Sequence, residues 1–146
     1  MYNAVNEREK VTFGLDNVIC PKFISGLTGG RTLDVTNFPL NVISAGHVII
    51  VKDGVYKPMP LQQKTEDSTP VTDADGNPVY EYASLPANHA YAGILYRSIL
   101  TKKPAASIMT NGQLNSVAAP YPMTSILSAF KAACPFIEFV KDEEAI

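Results

Sequence analysis

Ala45-Gly46-His47-Val48-Ile49-Ile50-Val51-Lys52-Asp53-Gly54-Val55-Tyr56-Lys57-Pro58-Met59-Pro60-Leu61 is the stretch whose reading decides the fold. Val48 to Val51 are β-branched, and such side chains favour extended backbone because their χ1 freedom is crowded in a helix. Asp53-Gly54 follows, and an Asp-Gly pair between β-branched runs predicts a tight hairpin whose central residues both need positive φ. The run is continuous rather than alternating, so this strand is expected to be covered on both faces. Pro58 and Pro60 have no N–H to give a ladder, which puts the end of the second strand at a sheet edge or beyond it.

Working outward, Tyr91 to Leu100 has strand character, with Ala92-Gly93-Ile94-Leu95-Tyr96 central and close-packed at the glycine. Lys102-Lys103-Pro104 turns the chain. Ala106 to Leu114 reads as further strand interrupted by a turn at Asn111-Gly112, and Pro120 and Pro122 end the sheet. Pro122 suits a first helical turn, and Thr124 or Ser125 can cap it. Ile126, Leu127, Phe130 and Ala133 then make one apolar stripe, and Cys134-Pro135 stops the helix. Phe136 to Val140 is the closing strand. The fold class expected is mainly β with one short C-terminal α-helix.

Before the hairpin, residues 1–40 are apolar yet irregular. Met1 to Lys10 is polar and charged, without the apolar core of a secretory signal. Val11, Phe13, Leu15, Val18, Ile19, Phe23 and Ile24 supply apolar side chains, but Gly14, Pro21 and Gly29-Gly30 break regularity. Two accounts follow: the segment packs across its own core, or it is an extended arm pairing with a neighbouring subunit or lattice by strand addition. The division expected is an arm over 1–40 and a β-rich domain over 41–146. Within the latter, residues 62–90 form a polar excursion carrying a small hairpin. Lys64 stands there against Glu66, Asp67, Asp73, Asp75 and Glu81.

The chain has 146 residues, a length that makes one domain and needs no metal or disulfide to hold a core. Charged residues are 18%, low for a globular surface and in keeping with a protein that works assembled. A net charge of −2 with no basic stripe argues against nucleic acid. No run approaches the roughly 20 apolar residues of a membrane helix. Cys20 and Cys134 lie far apart, each before a proline, and are expected to be buried thiols. The expected compartment for synthesis is a reducing cytoplasm.

Catalytic and cofactor patterns are not found. Gly26-Leu27-Thr28-Gly29-Gly30-Arg31 has neither the spacing nor the lysine of a phosphate loop. Asp73, Asp75 and Asn77 resemble the front of a calcium loop, but Gly76 sits two places early for one, so a plain turn is expected. A Cys20–His47 nucleophile and base pair is conceivable in chemistry, against structural roles for both. Tyr80, Tyr82, Tyr91 and Tyr96 form the aromatic group suited to a trimer interface or a glycan surface. The expectation is a non-enzymatic protein with no cofactor and no metal.

The order of an irregular arm, Ala45-Gly46-His47-Val48-Ile49 running to Tyr56-Lys57-Pro58-Met59, a variable loop, Ala92-Gly93-Ile94-Leu95, a strand pair over Ser107 to Leu114, a short helix and Phe136 to Val140 resembles the head decoration proteins of tailed bacteriophages and related head-fibre base proteins. The likeness covers roughly Ala45 to Val140, in loose patterns of glycine and apolar residues; the longer arm and the 62–90 excursion depart from the small members. The resemblance implies a compact β-tulip or barrel-like domain that trimerises on the outer capsid surface and clamps the major capsid protein. It also implies that the arm, through Val11, Phe13, Leu15, Val18, Ile19, Phe23 and Ile24, binds the capsid. The location implied is the virion, after synthesis in the host bacterial cytoplasm, with another head protein or a host-surface glycan as a further contact. A carbohydrate-binding adhesion module of the same particle is the alternative.

Overall fold

The apolar run of the opening hairpin becomes strand β4 (Val48–Lys52), and Val48, Ile49 and Ile50 are each 0% exposed. It pairs antiparallel with β5 (Val55–Pro58) across a turn in which Asp53 and Gly54 both have positive φ. The computed structural model describes residues 16–140, and its secondary structure is 42% strand and 9% helix. The main sheet runs β1 (Lys22–Gly26), β13 (Ile108–Asn115), β10 (Ala90–Leu95), β4, β5. A sixth strand, β14 (Ile137–Val140), pairs parallel with β13. The sheets do not close on themselves.

Successive side chains of a strand point to opposite faces, so a continuous apolar run demands two covering layers. One layer takes Val48 and Ile50 with Ile94, Met109 and Leu114, roofed by Phe130, Ile126, Met123, Tyr82 and Ile19. The opposite layer takes Ile49 with Leu95 and Ile108, roofed by Leu33 and Ile43. Phe130, the single buried residue within helix α2 (Leu127–Ala133), meets Tyr91 and Phe139 edge-on at 5.6 and 6.0 Å.

Several expectations meet different physics. No turn forms at Asn111-Gly112; β13 runs straight through it. The glycine is there for space: a Cβ on Gly112 would run into Met109 Sδ and the Lys22 carbonyl oxygen. The helix is shorter than its pattern. Ile126 occupies the N-cap position without a side-chain bond, so Thr124 and Ser125 cap nothing, and Ala133 faces solvent. By contrast, the 62–90 excursion carries small hairpins as expected. β6 (Leu61–Gln63) pairs with β9 (Tyr80–Tyr82), and β7 (Thr65–Glu66) pairs with β8 (Thr69–Pro70) between them. At its outer turn Asp73 Oδ1 accepts the N–H groups of Asp75 and Asn77, a plain turn.

Residue 40 is no boundary in this fold. From Lys22 to Leu33 the chain runs antiparallel along 104–113 as one edge ribbon, in two pieces. β1 pairs with β13, and β2 (Arg31–Thr32) pairs with β12 (Ala105–Ala106). The Leu33 N–H then donates to the Pro104 carbonyl at 2.9 Å. Upstream, the single-turn helix α1 (Asp16–Ile19) is tied down by a polar relay. The Ala45 N–H donates to Ser98 Oγ at 2.9 Å, and Ser98 donates from Oγ and N to the Asp16 carboxylate at 2.7 and 2.9 Å. The described part of the predicted arm therefore lies on its own core, the first of the two accounts. Val11, Phe13 and Leu15 lie outside the described residues.

Phe130→Ala removes the ring that joins helix to sheet and leaves a cavity between Tyr91 and Phe139. It is expected to cost about 3–5 kcal/mol, read as a lower urea midpoint at unchanged m-value; a loss below about 1 kcal/mol would mean that α2 is not an essential roof.

Candidate interaction surface

Side chains that could do chemistry are mostly committed to structure. His47 is 0% exposed. Its Nε2–H donates to the Met59 carbonyl at 2.9 Å, and Phe38, Tyr82 and Tyr121 close around the ring edge-on at 5.5, 5.3 and 5.6 Å. Nδ1 has no partner among the described residues. Burial pushes this imidazole from its usual 6.5 down to about 4, opposed by the Met59 hydrogen bond. Cys20 Sγ donates to the Leu95 carbonyl at 3.8 Å rather than to His47. Burial, with the Asp16 carboxylate beside it, pushes the Cys20 thiol up to about 12; burial alone pushes Cys134 up to about 11. Both cysteines are free and buried. Neutral buried thiols are poor nucleophiles. Among the described residues no group of three or more His, Cys, Asp or Glu could hold a metal ion.

The tyrosines do not form one platform. Tyr82 is 4% exposed, and its hydroxyl accepts the Val48 N–H at 3.1 Å, so it belongs to the core rather than to a trimer or glycan surface. Burial holds its hydroxyl well above the ordinary tyrosine range. Tyr80, Tyr91 and Tyr96 are half-buried. Tyr91 meets Phe130, whereas Tyr96 lies between the Phe23 ring at 4.8 Å and the Arg97 guanidinium at 5.1 Å.

Of the predicted arm residues, Ile19 is buried at 6% exposure and Val18 is half-buried. Phe23 and Ile24 stay outside, 40% and 55% exposed. The reason is local. Phe23 is in register with Gly112 and Ser25 with Asn111, so Ile24 is an extra residue bulged out of the ladder. Across β13 at the same level, the Gly112 N–H donates to the carbonyl of Phe136, a side chain 70% exposed. Exposed apolar side chains thus stand on both strands that neighbour Gly112, on β1 at one side of β13 and at the entry to β14 on the other. Isolated exposed apolar residues are ordinary on a monomer, whereas neighbouring ones mark contact surfaces.

Two features escaped the sequence reading. Asp16 is the only charged residue between Lys10 and Lys22, a signal that could have marked it as a buried anchor. A trough of about 570 Å³ lies between α2, β14 and the preceding segment, lined by Val117, Pro122, Met123, Leu127, Lys131 and Phe139. Lys131 Nζ stands 5.3 Å over the Phe139 ring there. No pattern in the sequence announces that trough, because it forms only where the irregular chain over 116–124 folds back beside α2 and β14. No protein-family model, no curated protein and no solved structure matches this chain.

The His47 cage has a pH signature. Its folded pKa is depressed, so the unfolded chain binds more protons between about 6.5 and 4. This contribution is full above pH 6.5, falls as pH drops through that window, and by about pH 4 is reduced by on the order of 3 kcal/mol. Urea midpoints measured across this range should show the loss, and His47→Gln should remove that part of the slope. An unchanged slope in the variant would assign it to other groups.

Proposed function

We propose that this chain is a structural virion protein which binds the outer surface of a tailed-phage capsid, as a homotrimer, and stabilises the shell. The carrying observation is the exposure of three large apolar side chains, Phe23 and Ile24 on β1 and Phe136 at the entry to β14, on the two strands that flank Gly112. Side chains that large and that exposed gain by burial against a partner, at about 25 cal/mol per Å² of apolar surface removed from water. The resemblance to head decoration proteins supplies the partner class, the major capsid protein, and the β-tulip description of the domain. An open sheet roofed on both faces is compatible with that description.

The groups beside these side chains also favour docking over chemistry. Ser25, Asn111 and Gln113, with the exposed charges of Lys22 and Glu138 in register with Gln113, offer the polar and charged groups found at an interface rim. Many weak contacts repeated over a lattice hold a shell protein without any single tight site. The excursion 62–90, with its exposed acids, is where another head protein would attach.

Light scattering on the purified chain at micromolar concentration is expected to give the mass of a trimer; a monomer would overturn the trimeric part of the proposal. Ile24→Lys and Phe136→Lys should each weaken co-sedimentation with purified capsids by tenfold or more, in keeping with the loss of a buried apolar anchor. Both sites are more than half exposed, so unfolding midpoints should stay within about 0.5 kcal/mol of wild type. Full binding by both variants would place the capsid contact elsewhere.

A further inference from the structure

The edge ribbon has a construction that serves a second purpose. Between Gly26, in register with Met109, and Arg31, in register with Ala106, residues 27–30 bulge out opposite residues 107 and 108. The bulge is closed by the Leu27 N–H on the Ile108 carbonyl at 3.0 Å, the Gly30 N–H on the Leu27 carbonyl at 3.1 Å, and Arg31 Nη1, which donates to the Thr28 and Gly30 carbonyls at 3.0 and 2.6 Å. Gly29 and Gly30 have φ of 79° and 69°, and a Cβ on Gly29 would meet nothing. Glycine can leave that conformation for an extended one at no steric cost. Drawn straight, the step from Gly26 to Arg31 spans roughly 17 Å, against roughly 10 Å for the partner residues it now accompanies. The bulge is stored length.

What the bulge tethers is a self-contained piece. The Cys20 N–H donates to the Asp16 carbonyl within the segment, at 2.9 Å. Every described anchor of residues 16–26 lies on the chain beyond Arg31. Asp16 bonds Ser98, Cys20 bonds Leu95, Phe23 stacks on Tyr96, and β1 pairs with β13 alone among the described strands. A second copy offers the same anchors in the same arrangement. β1 is also the outermost strand, so its departure leaves the order β13, β10, β4, β5 intact. Its ladder is irregular on both sides of Ser25. Such bulges blunt an edge against the addition of a further regular strand, which disfavours simple strand addition here.

We infer that the ribbon is exchanged between copies: in the assembled protein, residues 16–26 of each subunit occupy the β13 edge of a neighbour, and residues 27–30 extend to bridge the two. This rests on the self-association proposed above and adds its mechanism. Exchange re-forms the same contacts, so only the bulge bonds and the association entropy oppose it. Binding side by side on a shell lowers the second term by raising effective concentration. The two accounts of the N-terminal segment then describe one element in two settings: packed on its own core when alone, and on a neighbour when assembled.

Paired cysteines placed in register report which chain a strand came from. Ser25→Cys with Asn111→Cys, and separately Lys22→Cys with Gln113→Cys, put thiols on residues facing each other across β1 and β13, within disulfide reach. Each double variant is assembled, oxidised, denatured and run without reductant, with the wild type as control for Cys20 and Cys134. Exchange predicts covalent bands of two and three chains in both variants and none in the wild type. Monomer bands alone, in samples whose light scattering shows an oligomer, overturn the exchange and leave self-association standing. A monomeric mass at every concentration overturns the self-association reading, and the exchange falls with it.

Discussion

A strand with an unbroken apolar run, Val48 to Val51, must be roofed twice, and that constraint organises the molecule. Val48, Ile49 and Ile50 have no exposure at all, and they divide between two core layers on opposite faces of one open sheet. With 9% helix among the described residues, the fold does not roof both faces with helices. One short helix serves one face, anchored by Phe130. The other is covered by irregular chain carrying Leu33 and Ile43, with Val35, Phe38 and Ile99 packed against them. Residues 27–43 therefore supply a roof to the core through Leu33 and Ile43, with Leu27, Val35 and Phe38 packed against it. Their lack of periodicity reflects a roof made of turns and short bridges rather than an absence of structure.

Polar groups in the interior serve the same arrangement. The relay from Ala45 through Ser98 to Asp16 fixes the turn that carries Ile19 and Cys20 into the core. Its two bonds to the carboxylate satisfy a group that would otherwise be costly to bury. His47 pins the turn before β4 to Met59 while three aromatic rings from other segments close on it. Asn115 Oδ1 accepts the N–H groups of Val117 and Ala118 and so shapes the exit from β13. These groups hold segments in place, and none presents a reactive atom at a cleft.

The proposed function draws on the outside of the molecule. The irregular ladder of β1 expels Ile24, and Phe136 stands exposed at the entry to β14 on the far side of β13, so apolar side chains face outward on both strands beside Gly112. The same ribbon carries stored length in residues 27–30. An element that can pack at home or on a neighbour suits the shell-binding role proposed above.

The sequence by itself determined the hairpin, its turn, the two-faced burial of β4, the edge position of Pro58, the excursion and the closing strand. Each follows from local chemistry: β-branching, positive φ at Asp-Gly, a missing proline N–H, clustered turn residues. It also placed Cys20, Cys134 and His47 as structural rather than reactive groups. Only the tertiary structure decided that β13 passes straight through Asn111-Gly112, because the space that glycine provides is set by Met109 and Lys22 packing against it. Tertiary packing likewise drew Tyr82 into the core while leaving Phe23, Ile24 and Phe136 outside. Exposure depends on which strands meet at which register, and register is set by long-range pairing that no local pattern encodes.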